Sequence, residues 1–288
     1  MGHSGVARES APEVRITDAE FERFRDYFYR KTGIRFEDSK RYFVDKRLIQ
    51  RMHQTGHESF REYFAFMRFQ ASGKEFQELV NLMTVNETYF FREEYQLKCM
   101  VNALLGEVLH HQRPGETVRI WSVPCSTGEE PYSIALYLLE FWDRIDEVDV
   151  EIVASDIDTQ ALEKARAGVF SRRSVNHLPR WILEKYFEPL AGGYHRLCED
   201  LRTCVDFRRI NLCDPKDTRG MRDFDIIFCR NLLIYFDEAS QRQAAETLYD
   251  ALKPGGFVLL GHSESMSRIT SLFKVRRFED AIVYQRSI

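Results

Sequence analysis

The chain has 288 residues, 44% apolar and 30% charged, with a formal net charge of −4. That length suits two compact domains, or one large α/β domain with an appendage, and the composition is that of an ordinary globular protein. The acidic balance argues against wholesale nucleic-acid binding and leaves room only for a local basic surface. The six cysteines (Cys99, Cys125, Cys198, Cys204, Cys213, Cys229) form no C-x-x-C pair and have no His at metal-ligand spacing. Cys125, Cys213 and Cys229, in or beside strand ends, read as small buried thiols, which suggests a reducing compartment, and no metal is expected. The start, 1–12, lacks an apolar signal core, and no run approaches the length of a membrane span. A cytoplasmic protein without direct membrane insertion is expected.

After a flexible tail over 1–16, the pattern to about Tyr95 is helical. Phe21, Phe24 and Phe28 share one face of a helix that Thr17 or Asp18 can cap and Gly33 ends. A second helix follows Asp38-Ser39 and stops at Gly56. A third carries Phe60, Phe64 and Met67, and a fourth Phe76, Leu79, Val80 and Met83. An all-helical domain over 17–85 follows, then a linker and connecting helix over 86–117. From Val118 the grammar becomes strand, turn, helix. Strands are expected over 118–123, 151–155, 205–210, 225–229 and 257–260, with helices over 158–166 and 239–252. Pro131 suits a first helical turn. Lys253-Pro254-Gly255-Gly256 reads as a tight turn into a strand, and 273–276 with 281–284 as a terminal hairpin. This alternation predicts an α/β fold with a parallel doubly wound sheet over 118–288 and antiparallel strands at one edge. Residues 168–203, with Pro179, Pro189, Gly192 and Gly193, interrupt the alternation and read as an inserted lobe.

In open α/β sheets, ligands bind at the carboxyl ends of strands near the switch point. After the first strand stands Ser126-Thr127-Gly128-Glu129-Glu130-Pro131. One glycine followed by two carboxylates would repel a pyrophosphate but suits a ligand carrying an ammonium or a hydroxyl; the methionine end of S-adenosylmethionine offers an ammonium. Asp156 ends the second strand, where a ribose diol would be gripped, and Asp158 competes with it for the helix cap. Asn211-Leu212 follows the third strand; Arg230-Asn231, with Tyr235 close behind, follows the fourth.

Taken together, Asn86-Glu87-Thr88-Tyr89-Phe90-Phe91-Arg92, Ser126 to Ser133, Ala154 to Asp158, Phe228 to Phe236 and Gly261-His262-Ser263-Glu264 stand in one order. This set resembles the CheR family of chemoreceptor glutamate methyltransferases from about residue 17 to the C-terminus. The resemblance implies a Rossmann-type class I methyltransferase sheet with an inserted small β-subdomain, joined to the all-helical N-terminal domain. It implies S-adenosylmethionine as cofactor, S-adenosylhomocysteine as product, and esterification of receptor glutamates in sensory adaptation. Cofactor contacts are implied at Asn86, Thr88, Arg92, Asp156, Asn211, Leu212, Asn231 and Leu232, the two leucines through their backbone. Either Glu129 or Glu130 is also implied; Pro131 at the first helical position would favour Glu130.

Arg92, Arg230 and Tyr235 are the candidates to orient the acceptor carboxylate, with a structural ion pair as the other reading of Arg230. A carboxylate is ionised at neutral pH, so the reaction needs alignment and water exclusion rather than a general base. His262 therefore reads as turn-stabilising, and Cys125 and Cys229 as packing. Between Arg30 and Arg51 lie eight Lys or Arg against three acidic residues. On one helix Lys40, Arg47 and Arg51 would project within about 40° of each other. Composition alone favours a solvated face with local salt bridges; the resemblance makes them the candidate contact for a glutamate-rich receptor helix. The inserted lobe resembles the family's β-subdomain, which in some members docks a receptor C-terminal peptide by strand addition. Two competing functions are an S-adenosylmethionine-dependent methyltransferase acting on nucleic acid or on another protein, and a non-catalytic receptor-binding module. The first lacks the Asn/Asp-Pro-Pro-aromatic loop of adenine methylation, and the second has no need of Arg92 or Tyr235.

Overall fold

The structure, a computed structural model, describes residues 15–113 and 115–288. The expected tail over 1–16 lies outside the described residues except at its last two positions. There Ile16 is buried and its carbonyl accepts from Arg41 Nη2 at 2.9 Å, so the ordered chain begins before residue 17.

Four helices come first: α1 (Asp18–Thr32), α2 (Arg41–Thr55), α3 (Phe60–Phe69) and α4 (Lys74–Met83). Thr17, not Asp18, is the cap of α1, in a reciprocal box with Glu20. Gly33 and Gly56 close α1 and α2, each at φ 75°. Phe24, Phe28, Leu48, Tyr63 and Leu79 are fully buried between these helices. Each large side chain so buried contributes about 1.5–3 kcal/mol, which holds helices too short to be stable alone. A separate 3₁₀ turn, Asp38–Lys40, precedes α2, so Lys40 stands outside the helix that carries Arg47 and Arg51.

The connecting segment runs through α5 (Glu94–Cys99), a π-helical turn (Met100–Leu104) and α6 (Leu105–His111). The α/β part follows as β1 (Val118–Ser122), α7 (Glu129–Phe141), β2 (Val150–Asp156) and α8 (Thr159–Ala167). The insertion comes next: β3 (Val169–Ser171), α9 (Arg172–Val175), α10 (Arg180–Tyr186), β4 (Phe187–Pro189), β5 (Tyr194–Leu197) and α11 (Glu199–Thr203). The main sheet resumes with β6 (Val205–Arg209), α12 (Pro215–Thr218), β7 (Phe224–Cys229), α13 (Glu238–Ala251), β8 (Leu252–Leu260), β9 (Phe273–Arg277) and β10 (Ile282–Arg286).

Seven strands pair in the order β6-β2-β1-β7-β8-β10-β9. The first five are parallel, and β10 runs antiparallel to both β8 and β9. The chain winds outward from β1 to β6, then crosses to β7, which puts the switch point between β1 and β7. The insertion is a separate antiparallel sheet, β3-β5-β4. The expected turn at Lys253–Gly256 is not a turn outside the sheet. β8 is continuous from Leu252, and its register against β7 jumps between Phe224↔Leu252 and Ile226↔Phe257. Gly256 allows this irregularity, since a Cβ there would meet the Asp225 carbonyl at 3.0 Å.

The helical part docks on the carboxyl edge of the sheet. Gln77 donates to the Ile157 carbonyl at 2.8 Å, Thr84 Oγ1 to Asp158 at 2.6 Å, Tyr29 to Asp237 at 3.0 Å, and Asn211 Nδ2 to the Lys31 carbonyl at 2.7 Å. Ile34 and Phe236 form a short antiparallel bridge. The crevice over the switch point is thereby roofed.

Candidate active site

Two adjoining cavities fill that crevice, of about 440 and 240 Å³. Val85, Pro124, Ser126, Asn231, Ile234 and Tyr235 line both. The larger lies over the tips of β1, β2 and β6, reaching Asp156, Ile157, Asn211 and Leu212, and its roof comes from Phe36, Lys40 and Met83. The smaller lies over β1 and β7 and is lined by Thr88, Tyr89, Arg92, Glu130 and Arg230.

The loop after β1 turns at Ser126 (φ 48°) and Gly128 (φ 98°) into α7. Gly128 is required twice over: its φ favours glycine, and a Cβ would lie 2.9 Å from that of Ala165. Gly128 is the cap, so Pro131 is the third helical residue, not the first. The two glutamates then part company. Glu129 is buried away from both cavities, accepting from Ser174 of the inserted lobe and from Thr127 Oγ1 at 2.6 Å. Glu130 lines the smaller cavity, accepts from Ser122 Oγ at 2.8 Å and lies 3.2 Å from Arg230 Nη1. Glu130 is the glutamate at the cavity, though not for the reason that Pro131 suggested.

At the tip of β2 the two aspartates divide the work. Asp158 caps α8 by accepting from Ala161 N at 2.9 Å, and its other oxygen takes Asn86 Nδ2 at 2.7 Å. Asp156 is thereby left to the cavity. Its buried carboxylate accepts the Ser126 and Asp158 N–H groups at 2.8 and 2.9 Å, one on each oxygen, so each keeps a lone pair for a ligand. Burial pushes its pKa up to about 6, against the pull of those N–H donors. Burial likewise raises Glu130, with Arg230 opposing it.

Asn211 is buried with both ends of its amide engaged, Nδ2 on Lys31 and Oδ1 accepting from Cys213 N at 3.0 Å. Leu212 is buried and Leu232 half-buried, so what they offer the larger cavity beyond apolar wall is backbone. Asn231 adopts φ 57°. Tyr235 is 40% exposed and stands where the cavities meet.

Arg230 is buried rather than presented to solvent. Its Nη2 donates to the Arg92 carbonyl at 2.5 Å and faces Glu93 at 3.7 Å, while Nε has no hydrogen-bond partner among the described residues. It is an ion-pair hub at the cavity wall. Arg92 is more open: Nη1 donates to the Glu87 carbonyl at 2.8 Å and the guanidinium lies over Tyr89.

The basic face of the helical part departs most from expectation. Arg47 donates to the Leu82 carbonyl at 2.5 Å and packs over Phe43, and Arg51 makes a two-pronged pair with Glu75 at 2.9 and 2.6 Å. Lys40 is exposed but borders the larger cavity. The three cations do not form one solvent-facing stripe, because two acceptors on α4, the Leu82 carbonyl and the buried Glu75 carboxylate, draw the two helical arginines inward.

Two residues that brace the cavity's loops escaped the sequence reading. Glu264 accepts from the N–H groups of Asn231, Leu233, Ile234 and Gly261 at 2.7, 2.7, 3.3 and 2.9 Å, fixing the loop after β7. Glu93 sits among Arg230, His262 and Tyr95. Both lie in or beside quoted motifs, but a side chain that caps a distant loop has no local signature.

This geometry stands beside close sequence relatives. The family model "CheR methyltransferase, SAM binding domain" matches residues 86–282, and "CheR methyltransferase, all-alpha domain" matches 19–84. The chain is 57% identical to chemotaxis protein methyltransferase 2 of Vibrio cholerae, over 95% of each chain. It is 34% identical to the chemotaxis protein methyltransferase of Escherichia coli, over 96% of this chain and 94% of that one. With chemotaxis protein methyltransferase 2 of Pseudomonas aeruginosa the identity is 38%, over 91% and 92%. A doubly wound sheet with a carboxylate at the tip of β2, roofed by a helical domain, in a chain matched over both parts by the family's own models, is a member of the CheR methyltransferase family.

Proposed function

We infer that the protein transfers the methyl group of S-adenosylmethionine to glutamate side chains of chemoreceptors, as a protein-glutamate O-methyltransferase. The observation that carries this reading is the pairing of a larger, mostly apolar cavity holding Asp156 with a smaller polar one holding Glu130, Arg92 and Tyr235. The residues fit the cofactor. Asp156 offers two lone pairs to a ribose diol, Ile157 and Leu212 give an apolar wall for the base, and Glu130 offers a largely buried carboxylate to an ammonium. When bound, S-adenosylmethionine supplies an electrophilic methyl group on a sulfonium.

The chain's own part is to hold and orient. An acceptor carboxylate is ionised at neutral pH, so no side chain must take its proton. Arg92, on the smaller cavity, and Tyr235, where the two cavities meet, orient that carboxylate. Arg230 holds Glu130 and the Arg92 backbone in place and is a positioning residue, since its charge is turned to Glu130 and Glu93. The roof from Phe36 and Met83 keeps water from the donor. The partner is the helical domain of a receptor. Exposed Lys40 is the best placed of the three basic residues to meet it, and Arg47 and Arg51 act by keeping α2 in shape. The inserted sheet is the place for a receptor tail added as a strand.

The test is transfer of labelled methyl from S-adenosylmethionine to receptor-bearing membranes. An alkali-labile product supports the ester. An alkali-stable product, or no transfer by protein that binds the donor, overturns it.

A further inference from the structure

Arg92 stands between two non-glycine residues in the left-handed region, Phe91 at φ 58° and Glu93 at φ 53°. Such backbone costs on the order of 1 kcal/mol per residue and persists only where its surroundings impose it. The double twist turns the Arg92 carbonyl inward onto Arg230 while its side chain reaches the smaller cavity. The Glu93 side chain, 10% exposed, fastens the twist from the other side. Its Oε2 accepts from Tyr95 at 3.0 Å and Gln96 at 3.2 Å and faces Arg230 at 3.7 Å, and its Oε1 meets His262 Nδ1 at 3.0 Å.

Arg230 is thus divided between two carboxylates, Glu93 behind it and Glu130 in front. Of these two, Glu130 alone lines the cavity. Arg230 is 3% exposed in its side chain, so water screens the three charges little. Burial raises the Glu93 carboxyl, but Arg230 and His262 pull it below the ordinary range, consistent with a charged anchor. Were Glu93 neutral, the whole of the Arg230 charge would fall on Glu130. A carboxylate neutralised by its own arginine attracts an ammonium less.

We propose that Glu93 is a positioning residue which, by sharing Arg230, keeps Glu130 free to hold the ammonium of the cofactor's amino-acid end. The proposal rests on the cofactor assignment made above, and its test separates the two. Calorimetry on the full chain compares S-adenosylhomocysteine with 5′-methylthioadenosine, which keeps the nucleoside and lacks the amino-acid end. Glu93→Gln preserves size and removes the charge. It is expected to weaken S-adenosylhomocysteine binding about three- to tenfold, a typical coupling between neighbouring charges, and to leave methylthioadenosine binding within twofold. Glu93→Asp, which keeps the charge, should recover most of the loss. In a Glu93→Gln, Glu130→Gln double variant the effects should not add: binding should match that of Glu130→Gln alone.

Equal weakening toward both ligands would mean a merely structural role and overturn the proposal. Additive losses in the double variant, or unchanged binding in Glu93→Gln, would overturn it equally. Wild-type protein that binds neither ligand would instead defeat the cofactor assignment.

Discussion

Replacing Asp156 with alanine tests the cofactor reading most directly. Asp156 would lose a charge-assisted hydrogen bond to a ribose hydroxyl, a contact worth about 1.5–3 kcal/mol, so affinity should fall roughly 10- to 150-fold. Stability should move less than either of two opposing effects would move it alone. Burial has lifted this carboxyl from 3.8 to about 6, so ionising it in the fold costs about 3 kcal/mol at neutral pH, and alanine removes that cost. Alanine also leaves the Ser126 and Asp158 N–H groups without their acceptor, at about 1–3 kcal/mol each. A melting temperature within a few degrees of wild type, with a large loss of affinity, is the expected pair of results.

Titration supplies a second arm. Because the folded value lies above the unfolded one, this group's contribution to stability is present below pH 3.8 and is lost as pH rises through about 6. Ligand binding runs the other way, since the acceptor is the ionised form. At pH 5 roughly a tenth of the Asp156 groups are ionised, so S-adenosylhomocysteine should bind several-fold more weakly than at pH 7.5, and the Asp156→Ala variant should show a smaller dependence, with only that of Glu130 remaining. The assay is calorimetric titration at both pH values. A variant that binds within twofold of wild type at pH 7.5 would refute the reasoning.

Glu264→Ala strips the acceptor from four N–H groups of the loops after β7 and β8, at about 1–3 kcal/mol each where water cannot replace it, and removes a carboxyl that burial had raised; a net loss of about 2–4 kcal/mol is expected. Thermal unfolding should show a drop of several degrees, with weaker S-adenosylhomocysteine binding beside it. Arg51→Ala breaks a buried pair and leaves Glu75 with Tyr63 alone; a loss of about 3–5 kcal/mol is expected by denaturant titration. If stability is unchanged instead, Arg51 is freer than the geometry says and returns as a receptor contact. Gly33→Ala forces a Cβ to within 2.5 Å of Cys213 Sγ at a left-handed φ, so the joint between α1 and the sheet should loosen, visible as faster amide exchange in 29–34.

Much of this molecule was legible in its order of residues. Periodicity along 17–85 dictates helices, because Phe21, Phe24 and Phe28 fall on one face and Gly33 cannot continue it. Alternating apolar runs and turns after Val118 dictate a parallel sheet, and ligands of such sheets gather at strand tips, so Asp156 and Asn231 could be nominated without coordinates. What local pattern could not reach is any choice made between distant segments. Glu129 and Glu130 are neighbours in sequence, yet Ser174 of the insertion claims one and Arg230 of β7's loop holds the other at the cavity. Arg47 and Arg51 look like a solvated basic face until Leu82 and Glu75, some two helices away, supply acceptors. The periodicity of a chain fixes which side of an element is apolar; only packing decides which partner each buried charge finds, because an uncompensated charge in a low-dielectric interior is too costly to leave alone.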